Sequence, residues 1–243
     1  MKILKPKNKK ELQKIINEEI KKQGLNADLN HIDVSKIKDM SYLFYNSDFN
    51  GDISEWDVSN VEDMEGMFGF SKFNGDISKW DVSRVTSMEG MFERSIFNGD
   101  ISNWDVSRVI NMERMFSESK FNGDISRWNV SSVWNMREMF ADSEFNNDIS
   151  RWNVSRVEDM SYMFYKSKFN GNINNWDISN VRDMSAMFAE SKFKGNLSKW
   201  DVSHIEEVTG MFRNSPITEK DLRKWGWDRT NPNLSIFFER PLW

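Results

Sequence analysis

At 243 residues the chain is long enough for one or two ordinary domains, and its 38% hydrophobic and 14% aromatic content excludes a disordered polymer. A formal net charge of -5 argues against a wholesale nucleic-acid coat, while leaving room for a local basic patch. The absence of cysteine removes disulfides, thiolate zinc sites and cysteine nucleophiles together, and fits a reducing compartment.

The first residues, Met1 to Lys7, lack the apolar run of a signal peptide. No stretch approaches the roughly 20 apolar residues that span a bilayer. The expectation is a soluble, cytoplasmic protein without membrane contact; surface display or secretion by a non-classical route is the alternative. Next in the chain, Leu12, Ile15, Ile16 and Ile20 share one face of a predicted helix that Gly24 stops. Residues 1–24 are therefore expected to form an N-terminal capping helix.

From Leu25 onward the sequence repeats. Trp56, Trp80, Trp104, Trp128, Trp152, Trp176 and Trp200 recur every 24 residues without a slip. Phe44, Phe68, Phe92, Phe116, Phe140, Phe164, Phe188 and Phe212 keep the same period, as do Met40 to Met184, with Val208 after them. A fixed period of this size marks a stacked array, in which each unit is covered by its neighbours. Within one unit, Ile53-x-x-Trp56-x-Val58-x-x-Val61 has the spacing of a leucine-rich-repeat strand. Met64, Met67 and Phe68 follow at helical intervals, with Ser59 as a candidate N-cap and a capping box permitted by Ser59/Glu62, Ser155/Glu158 and Ser203/Glu206. Phe49-Asn50-Gly51-Asp52 carries turn chemistry. The predicted fold is thus an α/β repeat solenoid, leucine-rich-repeat-like, with one short strand and one short helix per coil and a parallel sheet on one face. Leu29-x-x-Ile32-x-Val34-x-x-Ile37 supplies a first coil, giving eight repeats over residues 25–216. Leu222-x-x-Trp225-x-Trp227 reads as a degenerate ninth strand, and residues 217–243, including the tail from Leu234 to Trp243, as a C-terminal cap.

The run Phe-Asn-Gly-Asp-Ile-Ser-x-Trp-Asp-Val-Ser-x-Val-x-x-Met-x-x-Met-Phe, as at Phe49 to Phe68, resembles the BspA-like leucine-rich-repeat family of bacterial proteins. The resemblance covers Leu25 to Pro216. It implies a solenoid with a binding role, sometimes adhesion, and supplies no catalytic residues. The chain differs from the surface members of that family in lacking a signal peptide or lipid-anchor cysteine, so surface placement is not expected.

Chemistry hidden in the columns is weighed next. The Met and Trp columns read as core rather than as a soft-metal surface. Asp52, Asp76, Asp100, Asp124 and Asp148 would stack about 5 Å apart and invite a calcium reading. Asn172 and Asn196 continue that column, keeping a side-chain acceptor while discarding the charge, so turn capping explains it better. His31 and His204 lie in coils at opposite ends, and no nucleophile elbow or phosphate-cradling loop is present. No enzyme activity, cofactor or metal is expected.

In a repeat protein, specificity is sought where coils differ. By the leucine-rich-repeat analogy, two columns should face the concave side: Glu55, Lys79, Asn103, Arg127, Arg151, Asn175, Lys199, and Asn60, Arg84, Arg108, Ser132, Arg156, Asn180, His204. Both are mainly basic. The Asp57 column between them mostly cancels this charge, but Asn129 and Asn153 fail to do so in the central coils. Trp134, preceded by Ile110, occupies a place that elsewhere holds polar residues such as Glu62, Thr86 and Glu158. Arg and Trp are favoured interface anchors. The candidate partner-binding residues are Arg84, Arg108, Arg127, Arg151, Arg156, Trp134 and Ile110, gripping a protein with an acidic surface. The competing reading has the arginines paired with Asp81, Asp105 or Asp177, and Trp134 packed on a neighbouring helix. The inferred function is a non-enzymatic protein-binding scaffold, such as an inhibitor or regulatory factor that masks its partner. A surface adhesin or secreted effector is one alternative. Binding of single-stranded nucleic acid is another, against which the Asp57 column and the acidic net charge count.

Overall fold

A short acidic or amide side chain placed two residues before a backbone N–H can bond it and close a turn. Most coils do this at three successive corners; in one, Ser87 Oγ takes the third place and accepts from Glu89 N at 3.5 Å. Asp52 Oδ1 accepts from Ser54 N at 2.9 Å, Asp57 Oδ1 from Ser59 N at 3.1 Å and Asp63 Oδ1 from Glu65 N at 2.9 Å. The computed structural model describes residues 3–239 and repeats this pattern along the stack. Where the column changes to asparagine, the bond survives: Asn172 Oδ1 accepts from Asn174 N, and Asn196 Oδ1 from Ser198 N.

These corners replace the predicted strand. Ile53, Trp56, Val58 and Val61 are all buried, as their spacing demands. The backbone between them, however, makes two turns, closed by Trp56 N→Ile53 O and Val61 N→Val58 O. The expected parallel sheet shrinks to isolated one-residue bridges between neighbouring coils, running from Asp39–Asp63 to Asp183–Glu207.

The predicted helix is likewise absent. Met64, Met67 and Phe68 are fully buried, but the segment is a chain of turns in which Met67 N bonds Met64 O and Gly69 N bonds Gly66 O. The alternate donors leave the coil altogether. Met64, Gly66, Phe68 and Phe70 donate to Ser87, Glu89, Met91 and Glu93 of the next coil, at 2.6–3.1 Å. Gly66 and Phe70 sit at φ 57° and 57°, and the equivalent positions of the other coils share this left-handed conformation, which a helix does not accommodate. Intervals of three and four arise equally from linked turns, and a facing coil that offers carbonyls in register outcompetes the local helix. Ser59 accordingly caps no helix; its N and Oγ both donate to Asp57. The capping boxes at Ser155/Glu158 and Ser203/Glu206 are absent for the same reason.

The interior consists of rows of like side chains. Phe68 stacks on Phe92 at 5.7 Å and on Phe73 at 4.4 Å, and the rows continue through Phe212 and Phe193. Each indole of the repeat column is anchored to the coil before it. Trp56 Nε1 donates to Leu29 O, and Trp80, Trp104, Trp128, Trp152, Trp176 and Trp200 repeat the bond 27 residues back, at 3.0–3.2 Å throughout. An asparagine row adds a second tie: Asn50 Oδ1 accepts from Asn74 N at 2.8 Å, and Asn74 passes the bond on to Asn98.

Helix α1, Lys9–Gln23, lies before the first coil and buries Leu12 and Ile16 in the shared core, with Gly24 at φ 90° as its stop. At the other end the predicted ninth strand is a helix, α2, Glu219–Trp225, followed by a 3-10 turn at Trp227–Arg229. The proline-bearing break after Ser215 and the Thr218–Asp221 capping box start a helix where the repeat would start a turn. The segment Leu234–Phe238 then supplies carbonyls that a further coil would have offered, with Gly210 N bonded to Ile236 O and Phe212 N to Phe237 O. The last four residues of the predicted tail cap, 240–243, lie outside the described residues. Among the described residues no helix is long and apolar enough to cross a membrane.

Replacing Trp128 by phenylalanine keeps an aromatic side chain in the row but makes it smaller and leaves the buried Ile101 carbonyl without its donor. The expected loss is about 1–3 kcal/mol, read as a lower urea midpoint. An unchanged midpoint would show that the indole ties add nothing to the stack.

Candidate functional surfaces

Because Trp56, Val58 and Val61 point inward, the residues between them point out. Arg84, Arg108, Arg127, Arg151, Arg156, Ile110 and Trp134 are all exposed. The predicted ion pairs with Asp81, Asp105 and Asp177 do not form, since these carboxylates accept from Ser83 N, Ser107 N and Ser179 N instead. Arg84 Nη1 donates to Asn60 Oδ1 at 2.8 Å. Among the described residues, Arg108, Arg127, Arg151 and Arg156 pair with no carboxylate.

The seven residues do not form one patch. Arg84 and Arg108 meet Glu62 and Thr86 around a cavity of about 390 Å³, which joins the Asn60 column to the column of Ile110 and Trp134. In that second column the backbones are chained, Thr86 N to Glu62 O, Ile110 N to Thr86 O and Trp134 N to Ile110 O. Ile110 and Trp134 therefore sit side by side on consecutive coils, 46% and 45% exposed. Arg127 and Arg151 belong to an earlier corner, across the Asp57 column.

The concave placement of the two basic columns is also corrected. Equivalent rings are 5.5–5.8 Å apart in the Phe68 row but 6.3–6.4 Å apart in the Phe73 row, and Trp56 lies 6.4 Å from Trp80. The coils thus fan open towards the tryptophan corner, so Arg127 and Arg151 lie on the wide side of the stack.

The narrow side carries a surface that the strand-and-helix reading concealed. In the linked turns Met64, Met67 and Phe68 face in, while residues at the places of Glu65, Gly66, Gly69 and Phe70 face out and vary from coil to coil. Tyr42 and Tyr45 pack edge-to-face at 5.6 Å, and Tyr162 and Tyr165 repeat this at 5.7 Å. Each pair is followed one coil later by a small pair, Gly66/Gly69 or Ala186/Ala189. A Cβ on Gly66 would come 2.5 Å from the Tyr42 ring, which shows how closely that ring lies on the next coil. Tyr-x-x-Tyr followed at the repeat distance by small-x-x-small was the available sequence signal.

Carboxylates line the same side. The Tyr42 hydroxyl donates to Glu65 Oε1, which holds its pKa far above the ordinary phenol value. Burial and the carboxylates of Glu113 and Glu65 push the Glu89 pKa up, opposed by the hydrogen bond from Asn111 Nδ2 at 2.9 Å. Burial does the same for Glu93. At the turn corners the sign reverses: the Ser54 N–H holds Asp52 below its ordinary value, and Asp76, Asp100, Asp124 and Asp148 follow the same rule. Among the described residues no group of His, Asp or Glu is arranged to hold a metal ion.

Recurring turns, bridges and ring rows define a tandem-repeat protein. The model of the family described as Mycoplasma protein of unknown function, DUF285, matches residues 11–120, 94–191 and 143–240, and the chain belongs to that family. No curated protein and no solved structure matches the chain.

Folding raises the Glu89 pKa, so its charged form opposes folding above that pKa and the penalty disappears on acidification. Glu89→Gln is expected to raise the melting temperature at pH 7, with the gain vanishing as the pH falls through the raised value towards 4.5. The Asp corners act oppositely: their contribution is present above 3.8 and lost below it, so wild type and variant should both destabilise there. Melting curves from pH 7 to 3 check both arms; a pH-independent gain would locate its cause elsewhere than in the charge.

Proposed function

We propose that the chain is a non-enzymatic binding scaffold that docks an acidic protein partner along the band formed by Arg84, Arg108, Arg156, Ile110 and Trp134. The carrying observation is the Ile110–Trp134 pair, two large apolar side chains exposed on neighbouring coils in a column otherwise filled by Lys38, Glu62, Thr86, Glu158, Arg182 and Glu206. Exposed tryptophan beside arginine is the chemistry of interface hot spots, and Arg108 and Arg156 spend no charge on neighbouring carboxylates. Arg127 and Arg151, set apart on the wide side, serve as outer attraction rather than as anchors. The BspA-like likeness of the repeats supports a solenoid that binds, and a regulatory, partner-masking role is the form of binding we propose.

Affinity capture from nuclease-treated lysate tests this. Wild type should recover a protein that Trp134→Ala with Arg108→Glu and Arg156→Glu loses at least tenfold, while Arg127→Glu with Arg151→Glu weakens recovery only modestly and in a salt-dependent way. Matching melting temperatures for the variants exclude loss of fold. Equal recovery by all baits would move the docking surface elsewhere. Nucleic acid recovered in place of protein when nuclease is omitted would favour a basic groove for single strands instead.

A further inference from the structure

The narrow side of the stack carries a second surface, on the opposite flank of the linked turns from Trp134 and independent of any partner bound there. Between the coils of Arg94 and Tyr165 lies a cavity of about 450 Å³, within the range of small-molecule sites. Its floor is made by small residues, Ser117 and Ala141, both nearly buried. Its end wall is the edge-to-face pair of Tyr162 and Tyr165.

The rim is polar, and most of its charges are paired. Arg94 Nε holds Glu118 at 2.7 Å, with its guanidinium 5.1 Å from the Phe70 ring. Glu138 is held by Arg114 at 2.9 Å and by Arg137 at 3.0 Å. Lys166 stands over Tyr165 at 5.1 Å and faces Glu190 at 3.9 Å. Arg94–Glu118 and Arg114–Glu138 are tied across neighbouring coils, which sets donors and acceptors at defined positions on the rim. Asp142 adds a carboxylate that no cation holds within ion-pairing distance among the described residues.

This combination selects a ligand class. A multiply charged ligand would gain little, because Asp142 apart the rim's charges are compensated in place. A purely apolar ligand would strand the carboxylates and guanidinium without water. A neutral polyhydroxylated ring fits both demands: its hydroxyls donate to Asp142, Glu118 and Glu138 and accept from Arg94 and Lys166, while its C–H face lies against tyrosine. We propose that the Tyr165–Asp142 cavity is a saccharide-binding site that takes a short neutral oligosaccharide, with Tyr165 as the platform and Asp142 as the principal hydroxyl acceptor.

The probes are maltotriose, cellotriose and triacetylchitotriose, tested against the full chain by saturation-transfer NMR and titration calorimetry. At least one should receive saturation at its ring C–H protons. Tyr165→Ala should weaken that binding at least tenfold and Asp142→Asn several-fold, while Trp134→Ala leaves it unchanged. Asparagine tolerates the left-handed backbone at residue 142, φ 50°, so the second variant reads the site even where the first fails to fold. Absence of saturation transfer to all three probes overturns the proposal. So does binding that survives in Asp142→Asn and in a folded Tyr165→Ala, or that is lost in Trp134→Ala.

Discussion

Every second backbone N–H between Met64 and Phe70 points out of its own coil, and nothing within the coil can receive it. The carbonyls of the next coil must therefore arrive in register, and this requirement sets the 24-residue period more strictly than any side chain does. Once the carbonyls are in place, identical side chains fall on top of one another and the phenylalanine and tryptophan rows follow. The indole N–H, which would be costly to bury alone, finds a carbonyl of the preceding coil at each of the seven repeat tryptophans, Trp56 to Trp200. The aromatic rows thus add stability to a register that backbone pairing has already imposed.

The same constraint separates the surfaces. Corners held by Asp52 and Asp57 are stiff and nearly invariant, which leaves the residues between them free to vary without disturbing the stack. On one side this yields the basic column and the Ile110–Trp134 pair, suited to a broad protein contact. On the other, the linked turns display tyrosines, carboxylates and arginines over small residues, and create a recess rather than a wall. The two chemistries do not compete, because each grows from a different stretch of the coil.

Much of this was legible in the residues. The inward set, from Ile53 through Phe68, was identifiable because burial depends on spacing alone, and spacing survives whatever path the backbone takes. The turn role of the Asp52 column was readable from its replacement by Asn172 and Asn196, which keep an acceptor and drop a charge. The local backbone was not legible. Intervals of three and four suit a helix and a run of turns alike, and only the left-handed residues, here Phe70, Arg94 or Glu118 rather than glycine, distinguish them. A left-handed glutamate carries no mark in a sequence. The misplaced concave side followed from that error, since a strand at Trp56 would have put the close-packed edge where the coils in fact fan apart. The Tyr162–Tyr165 recess was hidden for the same reason, its members having been assigned to a helix.

Each class of cross-coil bond has a fixed direction: the donors of the linked turns point forward along the stack, while the indole donors and the backbone donors of the Ile110 column point back. The two ends of the molecule are consequently not equivalent, and the carbonyls of Ile236 and Phe237 fit only one of them. A stack with such an arrow cannot be extended by joining like ends, but it can be lengthened or shortened from within. Excising 24 residues anywhere between the ends would rejoin matching donors and acceptors, whereas excising 23 would misalign every row beyond the cut. The molecule is in this sense a ruler graduated in steps of about 4.8 Å along its ladder, whose length a gene can reset by whole units of copying or loss.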